Sequence, residues 1–387
     1  MITPKLANGL DSLLLPPDCP TYKEFIEWRA SHLAQHQVDA SLRFDELNVY
    51  AALAGLRAPY PDEELLSRAY HRCHLAEAWL AWSGFEGKFT RRQALVSRGV
   101  RDSLLTVFGC LAKVANKVRE SETEQIPIQT KATEQGIRFS IPDDVYPVYA
   151  ELALQAGLTV ETHHAQAYFA GATSGELGGI SAILPWDEAV THALVCLPVK
   201  PWGISPAPEF FARVREWLAG DANRRLIVDA VYDLEPGFDP MTRELTSTGQ
   251  VILLHSLSKG WLQPQVFGVA LVPEADLTMY ESAFRFIEVS RNNLAIADLW
   301  LRKHGGRPTL VNDAVRELWK RRLATLWRLL DQEAVSNIEN AGGYTTVVSM
   351  PYADILKNHG ILGVPMSVYG GNADLTVLSC LPVAEQR

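Results

Sequence analysis

The chain has 387 residues, 47% hydrophobic and 21% charged, a composition that supports a large buried core and excludes a disordered or fibrous protein. Its 36 basic against 45 acidic residues leave a net charge of −9, which excludes a general nucleic-acid-binding or anionic-membrane surface, though not a local basic pocket. Cys19, Cys73, Cys110, Cys196 and Cys380 are scattered and odd in number, no apolar run reaches bilayer length, and M-I-T-P-K lacks a signal-peptide pattern, so the expectation is a cytoplasmic protein with no membrane or nucleic-acid partner.

Residues 1–60 are polar and proline-bearing, and are expected to form a partly helical arm plus part of a small domain. From Glu63 to Trp82 apolar positions recur every three or four residues, which predicts an amphipathic helix. His71, Cys73 and His74 fall on it and, like His163 and His164, have no partner set at ligand spacing; both groups read as packed or solvated side chains, and no metal is expected. Arg91 and Arg92 read as exposed charge, as does E-L-W-K-R-R-L at Glu317–Leu323.

Ala94–Leu104, A-L-V-S-R-G-V-R-D-S-L, reads as a strand, a glycine turn and the start of a helix over roughly 100–114. Ile141–Tyr149, I-P-D-D-V-Y-P-V-Y, reads as an aromatic-rich turn, followed by a helix from Val148 closed at Gly157 and a strand over Leu158–Glu161. From about residue 90 to 275 short apolar strands alternate with helical stretches such as Pro208–Ala219, the pattern of a mostly parallel sheet covered on both faces. After Glu274 the pattern turns helical, with Val311–Asn337 the longest amphipathic stretch, and Tyr344–Leu381 reads as strands. The expected division is a large domain over 61–280 and a C-terminal small domain over 281–387, with no internal repeat.

Two segments carry chemistry. Val251–Leu254 is an apolar run, read as an interior strand, and His255, Ser256, Ser258 and Lys259 come where it would end. In open α/β sheets ligands bind at that edge. A lysine there can form a Schiff base with a carbonyl compound, and serine hydroxyls beside it can donate to a phosphate. Arg225–Tyr232, R-L-I-V-D-A-V-Y, brings Asp229 and Tyr232 to the same edge. A carboxylate facing a pyridine nitrogen keeps it protonated, and a phenol can hydrogen-bond an oxygen on such a ring. Taken singly, the lysine also reads as a solvated strand end and Asp229 as a helix cap or turn residue.

Together, D-x-x-Y and S-x-S-K in this order and approximate spacing resemble the core of the fold type I pyridoxal phosphate enzymes, specifically the class I/II aminotransferase family. The resemblance implies an aspartate-aminotransferase-like α/β fold, pyridoxal 5′-phosphate as cofactor, an amino acid substrate and a homodimer. It implies that Lys259 carries the cofactor and then moves a proton, that Asp229 faces the pyridine nitrogen and that Tyr232 faces the ring 3-oxygen. Backbone N–H groups of Gly99, Val100 and Arg101, with the hydroxyls of Ser256 and Ser258, would hold the phosphate at a helix N-terminus. Tyr146 would stack on the ring face.

Three departures accompany the resemblance. Where the family has an asparagine facing the 3-oxygen, L-P-V-K-P-W-G at Leu197–Gly203 offers Lys200, a cation that can serve that oxygen or the substrate. The family's arginine after the lysine is missing from Q-P-Q-V-F-G, leaving neutral Gln265 and passing the phosphate's charge to Arg98, Arg101 or an arginine from a partner subunit, for which Arg291 is the candidate. Near Thr376 the strand that should open with a carboxylate-binding arginine reads N-A-D-L-T-V-L-S, with no Lys or Arg between Lys357 and Arg387. Its loss removes a contact of about 1.5–3 kcal/mol. Transamination is the default reading; a lyase, cyclase or elimination catalyst, and a non-catalytic binding protein on the same fold, are the alternatives.

Overall fold

The computed structural model describes residues 21–35, 72–124, 137–169, 184–234, 237–259, 267–302, five positions between 321 and 330, and 345–379. In chain order the described elements begin with α1 (Tyr22–Gln35), α2 (Arg72–Ser83), β1 (Ala94–Ser97), α3 (Val100–Glu124), β2 (Phe139–Pro142), α4 (Val148–Gln155) and β3 (Val160–His163). They continue with β4 (His192–Cys196), α5 (Pro208–Gly220), β5 (Arg225–Asp229), α6 (Pro240–Thr246), β6 (Val251–Ser256), β7 (Gly268–Leu271), α7 (Leu277–Phe284) and α8 (Arg291–Arg302). The last are β8 (Thr345–Val348), α9 (Tyr352–His359), β9 (Val364–Pro365) and β10 (Thr376–Ser379).

Seven strands form one sheet in the order β1-β7-β6-β5-β4-β2-β3. β7 pairs antiparallel with β1 and β6, while the pairs among β6, β5, β4, β2 and β3 are parallel, so six strands end at one edge. β8, β10 and β9 form a second, antiparallel sheet. The fold is therefore α/β, with a mostly parallel sheet flanked by helices, as the alternation of strands and helices predicts.

The central strands are apolar through their middle residues because both of their faces are covered. Every residue of β6 is buried, and Val251–Leu254 lies between β5 and β7 with α3 and α6 against the strand. Burying each such side chain contributes roughly 1.5–3 kcal/mol, enough to fix the register of these strands. In α3 the apolar positions Val100, Leu104, Val107, Phe108 and Leu111 are buried, and the helix then runs on to Glu124, past the expected 114. Beyond Val114 the apolar residues thin out, while the lysines, arginine and glutamates of the helix continue to favour helix.

β3 starts two residues later than expected because Leu158 belongs to the preceding helix end, its N–H donating to the Ala153 carbonyl at 2.9 Å. The C-terminal stretch, expected as strands, also contains α9, which buries Tyr352, Ile355 and Leu356. The helix expected over Glu63–Trp82 is described from Arg72 onward. Most of the 1–60 arm, His71, Gln265 and most of Val311–Asn337 lie outside the described residues. Among the described residues no helix is long and apolar enough to cross a membrane.

Candidate active site

The edge at which the six strands end gathers the residues singled out in the sequence. β1 leads to Gly99, β2 to Tyr146, β4 to Lys200, β5 to Asp229 and Tyr232, and β6 to Ser256, Ser258 and Lys259. β7 runs the other way, so its first residue, Gly268, lies at this edge, paired with Ser97 on one side and Ser256 on the other.

Gly268 closes the S-L-S-K segment and holds the β1–α3 turn. A Cβ there would lie 2.6 Å from Gly99 Cα, 2.8 Å from Gly99 N and 2.7 Å from Ser97 Oγ, so the turn packs on bare backbone. Ser97 Oγ is 2.7 Å from Ser103 Oγ, which pins the first turn of α3. A Cβ at Gly99 would lie 3.6 Å from Ser256 Oγ. Ser256 Oγ donates to Ser258 Oγ at 2.9 Å and accepts from Ser258 N at 3.1 Å. The N-terminus of a 25-residue helix, a glycine turn and two hydroxyls thus meet in one place, which suits an anion.

The arginines near this turn are engaged. Arg98, 55% exposed, pairs with Asp102 at 2.8 Å, and Arg101 donates to Tyr146 Oη at 2.5 Å. Arg291 opens α8 and is exposed. Tyr146 packs edge-on against Tyr149, with ring centres 5.7 Å apart.

Asp229, at the end of β5, is buried; Tyr149 Oη donates to its Oδ2 at 2.6 Å and Val231 N to its Oδ1 at 3.0 Å. Burial pushes its carboxyl from 3.8 up to about 6, opposed by those two hydrogen bonds and by the charges of Lys259 and Lys200. Burial and the Asp229 charge push the Tyr149 hydroxyl well up, and burial pushes the Cys196 thiol, opposite Asp229 in the β4–β5 register, up to about 12.

Because folding raises the Asp229 carboxyl above its unfolded value, this group's stabilising contribution is complete below 3.8 and is lost as pH rises through about 6. The protein is expected to lose on the order of 3 kcal/mol from this source between pH 4 and 7. Urea melts across that range should show Asp229→Asn without that part of the slope; an unchanged slope rejects the assignment.

Lys200 is buried, and its Nζ donates to Tyr232 Oη at 2.5 Å and lies 4.8 Å from the Tyr232 ring centre. Lys259 Nζ lies 5.6 Å from the same ring, so the two amines converge on one phenol. Lys200 rides on a closed turn in which Val199 N donates to Ile204 O and Gly203 N to Val199 O. A Cβ at Gly203 would overlap the Thr345 carbonyl oxygen of β8, so this turn abuts the second sheet directly.

In β10, Thr376 Oγ1 donates to the Met350 carbonyl at 2.7 Å, a backbone tie rather than a ligand contact. His163 is buried between Ser140 Oγ at 2.7 Å and Tyr168 Oη at 2.5 Å, and burial pushes it down to about 3, as befits a packed histidine. His164 is exposed, and with Asp143 and Asp144 its ligand atoms lie within 4.8 Å of one another, a grouping that the spacing of the histidines does not reveal. Sequence reasoning misses Tyr149 as a site residue; its only signal is its place in Y-P-V-Y, one helical turn after Tyr146.

No family model matches the chain, and no curated protein matches it. Solved structures do. A Thermus thermophilus aspartate aminotransferase double mutant superposes with TM-score 0.64 at 14% identity, covering 96% of this chain and 94% of that one. Apo-BacF from Bacillus subtilis gives 0.63 at 14% identity, covering 93% and 91%. Escherichia coli YbdL, described as having a methionine aminotransferase function, gives 0.61 at 14% identity, covering 93% and 92%. Such likeness, with the strand order and the C-terminal sheet, shows that this chain has the fold of the class I/II aminotransferases of the aspartate aminotransferase type.

Proposed function

We propose that the chain is a pyridoxal phosphate-dependent enzyme acting on an amino acid, as an aminotransferase, with Lys259 as the amine that carries the cofactor. The observation that carries this reading is the convergence of Lys259, Lys200, Tyr232 and Asp229 at the sheet edge where the Gly99 turn, Ser256 and Ser258 form an anion cradle. The residues fit the group. The cradle depends on a glycine at 268 and suits a phosphate, and a buried carboxyl raised to about 6 suits a cationic ring nitrogen.

Pyridoxal phosphate, when bound, supplies an aldehyde that condenses with amines and a ring that withdraws electrons from the carbon attached to nitrogen. The chain's residues do the rest. Gly99, Val100 and Arg101 N–H groups and the two serines hold the phosphate; Asp229, kept in place by Tyr149 and Val231, holds a proton at the ring nitrogen. Tyr232 and Lys200 orient the ring oxygen. Tyr146 covers one face and excludes water, and Lys259 Nζ takes and returns a proton at the substrate carbon.

A lyase or elimination reaction is the second reading. It is favoured by Thr376, bonded to backbone where a carboxylate-gripping cation is expected. The reading includes a homodimer, with the partner subunit's Arg291 as a further phosphate contact.

Adding pyridoxal phosphate to the purified protein is expected to give a visible absorbance band, and borohydride reduction followed by peptide mapping to find the label on Lys259. A panel of amino acids should bleach that band to the pyridoxamine form for an aminotransferase, and release an α-keto product without that conversion for an eliminating enzyme. Absence of cofactor uptake rejects the proposal.

A further inference from the structure

On β6, side chains alternate, so Ser256 faces the cradle while His255 points to the opposite side of the sheet, where α2 and Phe238 lie. Trp79 of α2 donates its indole N–H to His255 Nδ1 at 3.1 Å. An indole nitrogen only donates, so Nδ1 must be the unprotonated, accepting nitrogen, and the ring proton of the neutral imidazole sits on Nε2. That nitrogen is 3.3 Å from the Asp233 carbonyl oxygen, so His255 donates there. The ring is stacked on Trp82, with centres 5.2 Å apart and planes at 22°, and meets Phe238 edge-on at 4.9 Å. Burial pushes the imidazole down to about 3, which keeps it neutral, with one proton, near pH 7.

Both ends of this contact adjoin residues of the site. His255 is four residues before Lys259, and Asp233 is the residue after Tyr232. Asp233 is itself anchored, its N–H donating to the Ala230 carbonyl at 3.0 Å and its Oδ2 accepting from Asp239 N at 2.9 Å. The histidine therefore bridges the exit of β6 to the exit of β5 from the side of the sheet away from the cradle. We propose that His255 is a positioning residue, fixed as its Nε2–H tautomer by Trp79, that sets where the Tyr232 phenol stands relative to the Lys259 amine. This rests on the proposed roles of Lys259 and Tyr232, and deepens them.

The test compares wild type, His255→Phe, which keeps an aromatic ring in the stack but loses both hydrogen bonds, and His255→Gln, whose amide can donate to the Asp233 carbonyl. In ring-¹⁵N-labelled apoprotein, His255 should show the Nε2–H pattern, and Trp79→Phe should relax it toward a mixture of tautomers. With pyridoxal phosphate bound, His255→Phe should move the pH midpoint of the visible band by about half a unit or more. It should also slow amino-acid-driven bleaching on the order of tenfold or more, with His255→Gln recovering part of both. A purely structural histidine would lower the unfolding midpoint of His255→Phe and leave the band's pH midpoint where it was, and that result overturns the proposal. So does an Nδ1–H pattern in the apoprotein. If wild type takes up no pyridoxal phosphate, the reading of the site fails. The positioning role is then decided in the apoprotein, by whether formaldehyde with cyanoborohydride methylates Lys259 at a changed rate in His255→Phe; an unchanged rate overturns it.

Discussion

Lys259→Ala is expected to bind pyridoxal phosphate without covalent attachment and to slow amino-acid-driven bleaching by about 10²–10⁴-fold, the usual worth of a positioned proton-transfer group. Lys259 leaves the strand edge beside the Tyr232 ring, and in the proposed reading the amine that holds the cofactor is also the one that carries the proton, which sets the size of the effect. Affinity should fall less than rate, since the Gly99 turn, Ser256 and Asp229 are untouched. Stopped-flow absorbance with a reactive amino acid measures this, and a variant bleaching at the wild-type rate would remove Lys259 from the mechanism. Lys200 gives the experiment a second reading. It is the other amine at the phenol, so borohydride treatment of Lys259→Ala shows by peptide mapping whether Lys200 can accept the cofactor in its place.

Gly268→Ala is expected to lower stability by about 1–3 kcal/mol and to weaken cofactor binding together with it. Such a methyl group would meet Ser97 Oγ and, on the backbone, Gly99 Cα and N, which cannot swing away. The turn must shift, and its N–H groups with it, so the loss should appear both in the urea midpoint and in the pyridoxal phosphate titration. Stability lost with unchanged affinity would separate the Gly99 turn from the phosphate.

Much of this site is legible in the sequence because strand ends are. The apolar runs of β5 and β6 fix where Asp229, Tyr232, Ser256 and Lys259 emerge, and parallel pairing puts them at one edge. What escapes is what depends on contacts between distant segments. Tyr149 meets Asp229 across 80 positions of chain, and Trp79 meets His255 across 176, and neither spacing marks the sequence. Lys200 can be read as a departure from the family pattern, but not as a donor to Tyr232, since that depends on how the turn after β4 is closed. The length of α3 escapes for another reason: hydrophobic period marks only the apolar part of a helix, and α3 continues through charged and polar residues that carry no such period.

The turn carrying Lys200 is clasped by two backbone hydrogen bonds and has no side chain at Gly203 to act as a cushion against the Thr345 carbonyl. A side chain at position 203 would therefore have to push the Lys200 turn and the second sheet apart, so the place of the buried Lys200 beside the phenol depends on a sheet built by the C-terminal part of the chain.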